Sequence, residues 1–247
     1  MLSSCMRAIG GAAAAAVCAV ASPVFANPVS APAPLPTASE IETRIARQEA
    51  IKAVERLQFA FGYYQDRFFY DQVATLFASD ATMQLNDDVW VGSRGVKRFW
   101  TGYFGKVFAG GSKGPVAGKL LDLPQWQEVI TVSDDGKTAV GRFRTIGRLA
   151  FHRDREFWIS GVFLNKYVKQ GDVWKIQSMR FCNSWASKFV DGWKDNTVDT
   201  AVSWLPPIPN AARPDRKASD AEVCPPRYPA GGETTFEFAN PVTGKFD

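Results

Sequence analysis

The chain has 247 residues, with 29 Lys and Arg against 25 Asp and Glu for a formal charge of +4. The two signs are mixed along the sequence and no basic run occurs, which argues against a nucleic-acid partner and gives no membrane-surface signal. Four cysteines without a CxxC pair, and one histidine, leave no ligand set for a structural zinc site, so no metal is expected.

Residues 1–7 carry one positive charge, and residues 8–21 are apolar and rich in alanine. Ser22-Pro23-Val24-Phe25-Ala26 then offers an A-x-A-like cleavage pattern, so residues 1–26 read as a secretory signal. The apolar run is too short to span a bilayer, which takes about 20 strongly apolar residues. The alternative is a disordered N-terminus on a cytosolic protein. The signal predicts an exported protein, periplasmic or secreted, with no stable membrane insertion after cleavage. Residues 27–37 hold Pro28, Pro32, Pro34 and Pro36 and read as an extended Pro/Ala linker. What remains, about 210 residues, fits one domain with extensions.

Ser39-Glu40-Ile41-Glu42 is a capping box that opens a long helix. Ile51, Val54, Leu57, Phe61, Tyr64 and Phe68 form one apolar stripe on it, and Phe59, Tyr63 and Asp66 lie roughly opposite. Two such faces suit a helix that packs on a sheet with one side and on a tail or a second subunit with the other, so a homo-oligomer, dimer or trimer, is expected. A short helix over 70–78, a strand over 80–85, a turn at Asn86-Asp87-Asp88 and a returning strand at 89–91 follow. A third helix starts at Gly92 or Ser93 and carries Val96, Phe99, Trp100, Tyr103, Phe104 and Val107 at helical spacing. Beyond a loop over 110–118, strands are expected at 125–132, 138–152, 156–169 and 173–182, joined by turns in an antiparallel meander. Helices segregated from a run of strands mean α+β. The domain is placed at 38–183, and residues 184–247 form a tail that packs on it. With Cys5 and Cys18 inside the signal, Cys182 and Cys224 remain. They are either a disulfide tying the tail to the last strand or two buried thiols.

Tyr70-Asp71-Gln72-Val73-Ala74-Thr75-Leu76-Phe77-Ala78-Ser79-Asp80-Ala81 after the first helix resembles the SnoaL-like branch of the NTF2-like superfamily. Val89-Trp90-Val91-Gly92-Ser93-Arg94-Gly95-Val96 looks like its junction into helix three, and Gly171-Asp172-Val173-Trp174-Lys175-Ile176 like its last hairpin. Phe238-Ala239-Asn240-Pro241-Val242-Thr243-Gly244 looks like the tail of a bacterial subgroup. The resemblance implies an NTF2-like conical barrel, a curved antiparallel sheet wrapped by three helices around an apolar cavity. It also implies acid–base chemistry without metal or organic cofactor. Family members include dehydratases, dehydrochlorinases, isomerases and diarylpropane lyases, while others only bind ligands.

Asp66 matches the aspartate that often ends the first helix in this family and serves as base. An apolar cavity would raise its pKa and suit it to proton transfer near neutrality. The alternative is a solvated helix-end acid beside Arg67. Tyr64 could supply a phenol as acid or oxyanion donor, but it lies about 200° from Asp66 around a regular helix, so only one of the two faces the cavity. Arg142, Arg144 and Arg148 alternate on one strand face that His152 continues. If that face lines the cavity mouth, Arg144 would hold a phenolate, carboxylate or developing oxyanion, and His152 could exchange a proton. A solvated or subunit-facing surface is the alternative. Tyr63, Tyr103, Trp126, Trp158, Phe181 and Asn183 are candidate substrate-binding side chains that could equally be structural. The family's dehydratases and dehydrochlorinases carry a histidine between helix three and the next strand. Residues 119–126 have none, and Asp122 is the nearest ionisable stand-in.

No P-loop, GxGxxG, GxSxG or HExxH pattern occurs. The expected function is a cofactor-independent lyase, dehydratase or isomerase acting on a hydrophobic aromatic small molecule, such as a lignin-derived diaryl compound. The alternative is a non-catalytic exported ligand-binding protein with the same cone.

Overall fold

The structure is a computed structural model that describes residues 35–190, 192, 205–232, 236 and 238–246. The signal sequence, linker residues 27–34, Trp193 and Trp204 lie outside the described residues.

Helix α1 (Ala38–Asp66) buries Val54, Gln58, Phe61 and Gln65, a stripe at spacings of four, three and four. Val54 and Phe61 belong to the expected apolar face. Gln58 and Gln65 complete it in place of Leu57 and Tyr64, which sit half-buried at its margin. The glutamine is tolerated because the opposing strand supplies partners. Asn165 Nδ2 and the Tyr167 hydroxyl both donate to Gln58 Oε1, at 2.9 and 2.7 Å, and Gln58 Nε2 donates to Gln125 Oε1. A buried amide whose hydrogen bonds are met costs little and fixes the helix in rotation against the sheet. The first three turns of α1 are exposed.

Helix α2 (Tyr70–Thr75) is shorter than expected, because strand β1 (Phe77–Leu85) begins where Phe77 joins Ile176. β2 (Asp88–Val91) returns beside β1 and feeds α3 (Gly92–Lys97). That helix widens into a π-helical segment, Arg98–Phe104, before a last turn, α4 (Gly105–Val107). The π segment sets Phe99, Trp100, Tyr103 and Phe104 all on the buried side.

Strands β3 (Lys119–Asp122), β4 (Gln125–Val132), β5 (Thr138–Phe151), β6 (Arg155–Gln170) and β7 (Val173–Lys188) complete the body of the sheet. β3 was not expected. It and β4 share one edge of β5, β3 beside residues 148–151 and β4 beside residues 139–145. β7 runs six residues past the expected end at 182, through a bulge opposite Ser160 and Gly161. The sheet order is β3-β5-β6-β7-β1-β2-β8, with β8 (Arg216–Lys217) supplied by the tail. Every pair is antiparallel except β1 with β7, which is parallel.

The inner face of this sheet meets α1 and the aromatic third helix. Phe61 stands edge-on to Trp100 and to Phe163, with ring centres 5.4 and 5.8 Å apart, and Phe163 packs on Phe181 at 4.7 Å. With Phe143, Leu149 and Ile159 these side chains fill the centre of the cone. The tail crosses the β2 edge. Trp90 Nε1 donates to the Ala212 carbonyl at 2.8 Å, the Tyr103 hydroxyl donates to the Pro206 carbonyl, and the Asp215 carboxylate accepts from the Val91 N–H and from Arg98. A disulfide joins Cys182 of β7 to Cys224 of the tail.

Candidate functional site

The last turns of α1 present Phe59, Gly62, Tyr63 and Asp66 to one side. There they wall a cavity of about 290 Å³ against Asp122, Leu123, Pro124 and Gln125 of the β3–β4 link. Phe59, Tyr63 and Asp66 are the set the helical periodicity puts opposite the main stripe. Tyr64 packs at the margin of the core instead and does not line the cavity.

The link is held close by Gly147 of β5. A Cβ there would lie 2.2 Å from the Asp122 carbonyl oxygen and 2.5 Å from Leu123 Cδ2, so only glycine lets the link cross the strand at this height. The result is that the Leu123 N–H donates to Asp66 Oδ1 at 3.1 Å. We expect Gly147→Ala to force the link outward at a cost of about 1–3 kcal/mol. Thermal melts should show this as a loss of several degrees, and an unchanged melting temperature would contradict the tight crossing.

Burial dominates the electrostatics of Asp66 and raises its pKa from 3.8 to about 7. The Leu123 N–H opposes this by stabilising the carboxylate, the negative charge of Asp122 adds to the rise, and Arg67 lowers it slightly. A carboxylate balanced this close to neutrality can take up a proton and release it again at little cost. Burial first, and then the charge of Asp66, push the Tyr70 phenol well above its ordinary value. Among the described residues its buried hydroxyl has no hydrogen-bond partner, and the same holds for Trp100 Nε1 and Gln65 Oε1. Tyr70 stacks on Trp100 at 6.0 Å. Tyr70 lines a separate hollow with Phe68, Phe69 and Asp71, not the Asp66 cavity, so it acts on Asp66 only through its buried surroundings. Tyr70 was not among the expected site residues, because it opens a short helix and its spacing reads as core.

Of the expected residues, the structure brings together Asp66, Tyr63 and Asp122. The arginine face points the other way. Phe143, Thr145 and Leu149 are the β5 side chains turned to the core, and the alternate residues Arg142, Arg144 and Arg148 therefore lie on the outer face, beside Leu164, Val162 and Trp158 of β6. Arg144 is exposed and donates to Gln127 Oε1 at 2.9 Å, so it does not stand at the mouth of the Asp66 cavity. Arg148 touches the site indirectly, through an ion pair with Asp122, and its guanidinium lies 6.0 Å from the Trp158 ring. His152 is exposed in the turn after β5, where its backbone N–H donates to the Gly118 carbonyl. Trp126 is exposed beside Arg144. Tyr103 is committed to the tail, and Phe181 to the core against Phe163. Asn183 is buried and donates to the carbonyls of Ser160 and Trp185, on β7 away from the cavity.

A sequence profile described as the SnoaL-like domain matches residues 46–180. Solved structures that superpose on part of the chain include a candidate scytalone dehydratase from Novosphingobium aromaticivorans. It is 18% identical with a TM-score of 0.48, over 60% of this chain and 91% of that one. A hexachlorocyclohexane dehydrochlorinase, LinA-type3 from Novosphingobium barchaimii, is 13% identical with a TM-score of 0.47, over 60% and 94%. Aln2 from a Streptomyces species is 13% identical with a TM-score of 0.45, over 60% and 93%. No curated protein matches the chain in sequence.

Proposed function

Since the chain belongs to the SnoaL-like family of the NTF2-like superfamily, we propose that it is a cofactor-free acid–base enzyme, a lyase, dehydratase or isomerase, acting on a hydrophobic aromatic small molecule such as a lignin-derived diaryl compound. The observation that carries this reading is Asp66, a carboxylic acid with a pKa near 7 at the wall of a cavity shared with Phe59 and Tyr63. In an elimination the Asp66 carboxylate takes the C–H proton. The C–H electron pair becomes the new double bond, and the leaving group departs with its own pair. Tyr63, whose ring lines the same cavity, is the hydroxyl placed to donate to charge that develops on oxygen. Phe59 and Tyr63 suit a planar substrate. The Cys182–Cys224 bridge agrees with work outside the cytosol, where such bonds persist.

The test is turnover of aromatic dimers followed against pH. The value of kcat/KM should rise through about pH 7 as Asp66 loses its proton, then level off. A flat profile between about pH 5 and 9 would remove Asp66 from the chemistry. The alternative is a non-catalytic ligand-binding protein; the aromatic side chains that fill the centre of the cone count equally against both readings there and leave the edge cavity as the binding volume for either. Saturable binding of the same compounds without product would decide for the alternative.

A further inference from the structure

The tail roofs the outer face of the sheet, and the register of the strands says what it covers. Arg144, Val162 and Cys182 lie side by side across β5, β6 and β7, and Ile146, Ser160 and Trp185 form the next row. Cys182 is bonded to Cys224, which pins Pro225, Pro226 and Tyr228 above these rows, and the Tyr228 N–H donates to the Ser184 carbonyl at 3.0 Å. Two adjoining cavities open beneath the roof and share Trp185 and Tyr228 as walls. One, of about 360 Å³, is bordered by Arg142, Arg144 and Phe236. The other, of about 440 Å³, is walled by Ile146, Trp158, Trp185 and Tyr228, with no charged group among them.

We propose that this groove is a second binding site, separate from the Asp66 cavity, for a small aromatic carboxylate. A cationic end that continues into an aromatic trough complements a ligand with a charged head and a flat apolar body. Arg144 supplies the head site: its guanidinium is exposed, and among the described residues its hydrogen bond goes to the neutral Gln127 amide and it forms no ion pair. A planar guanidinium binds a carboxylate through two parallel N–H···O bonds, which a neutral amide ligand cannot reproduce. Arg142, buried and engaged with partners of its own, stands at the same end, its guanidinium 4.9 Å from the Phe236 ring centre. Trp158, Trp185 and Tyr228 provide faces on which an aromatic body stacks.

The experiment titrates the full chain with 2-naphthoate by calorimetry, with 2-naphthamide as the neutral control. Binding of the acid is expected below about 1 mM, the weak end of specific small-molecule affinity. Arg144→Gln should weaken it about tenfold, and the amide should bind the unaltered chain about tenfold more weakly than the acid. Asp66→Asn should leave it unchanged, which separates this site from the catalytic reading. No binding at about 1 mM, equal affinity in Arg144→Gln, an amide that binds as well as the acid, or loss of binding in Asp66→Asn would each overturn the proposal.

Discussion

Asp66→Asn should lower kcat/KM by about 10²- to 10⁴-fold, the usual contribution of a positioned general base, while making the folded protein more stable above neutrality. Asparagine keeps an oxygen for the Leu123 N–H and removes only the charge. The stability change follows from the pKa. The folded-state value is about 7 and the ordinary one 3.8, so between those two pH values the folded chain holds a proton that the unfolded chain has released. Stability therefore falls as pH rises through that window, and above about 7 the folded state carries the full penalty of a buried carboxylate. Removing that penalty is worth at most about 4 kcal/mol, less to the extent that the cavity admits water. Urea unfolding at pH 8 should show the gain, and unfolding near pH 4 should show almost none. Opposite signs in kinetics and stability separate this acid from a structural one, whose loss would depress both. Equal stability of the two proteins at pH 8 would show that the carboxylate is solvated.

The second large effect is expected from the disulfide. Cys182 and Cys224 are 42 residues apart, and closing a loop of that length in the unfolded chain corresponds to about 4 kcal/mol of stability in the chain-entropy account. The double variant Cys182→Ser, Cys224→Ser should lose about 2–4 kcal/mol in urea unfolding. The tail should stay partly docked, because Trp90, Tyr103 and Arg98 hold residues 206–215 independently of the bridge. A loss under about 0.5 kcal/mol would mean that the unfolded chain is already compact around these cysteines.

The sequence was most legible where one physical rule acted alone. The Asp134-Asp135-Gly136-Lys137 turn sits where its residue types put it, with Asp135 accepting from the Ser133 hydroxyl and the Lys137 N–H. The long hairpins of β5, β6 and β7 followed from alternation and turn spacing. The face of Asp66 was found by period, but its partner was not, because Leu123 reaches it only through the close crossing at Gly147. Gln58 and Gln65 were missed because a hydrophobic stripe counts glutamine as solvent-facing, whereas Asn165 and Tyr167, more than a hundred residues on, make Gln58 a core residue. Alternation put Arg142, Arg144 and Arg148 on a common face correctly. Period two cannot say which of a sheet's faces meets the helices, and that choice decided their role. The β3 strand and the parallel pairing of β1 are non-local facts with no local signature.

That parallel pairing bears on how the protein is made. β1 finishes its sheet only beside β7, where the Thr82 hydroxyl donates to Ser178, 96 residues later in the chain. During synthesis the β1–β2 hairpin therefore leaves the ribosome with both edges bare, since β1 waits for β7 and β2 waits for β8 of the tail. Pairings this distant close slowly, and an unpaired edge invites strands of other chains meanwhile. The order of synthesis thus sets a window, from the emergence of β2 to that of β7, in which pairing with another chain competes with folding.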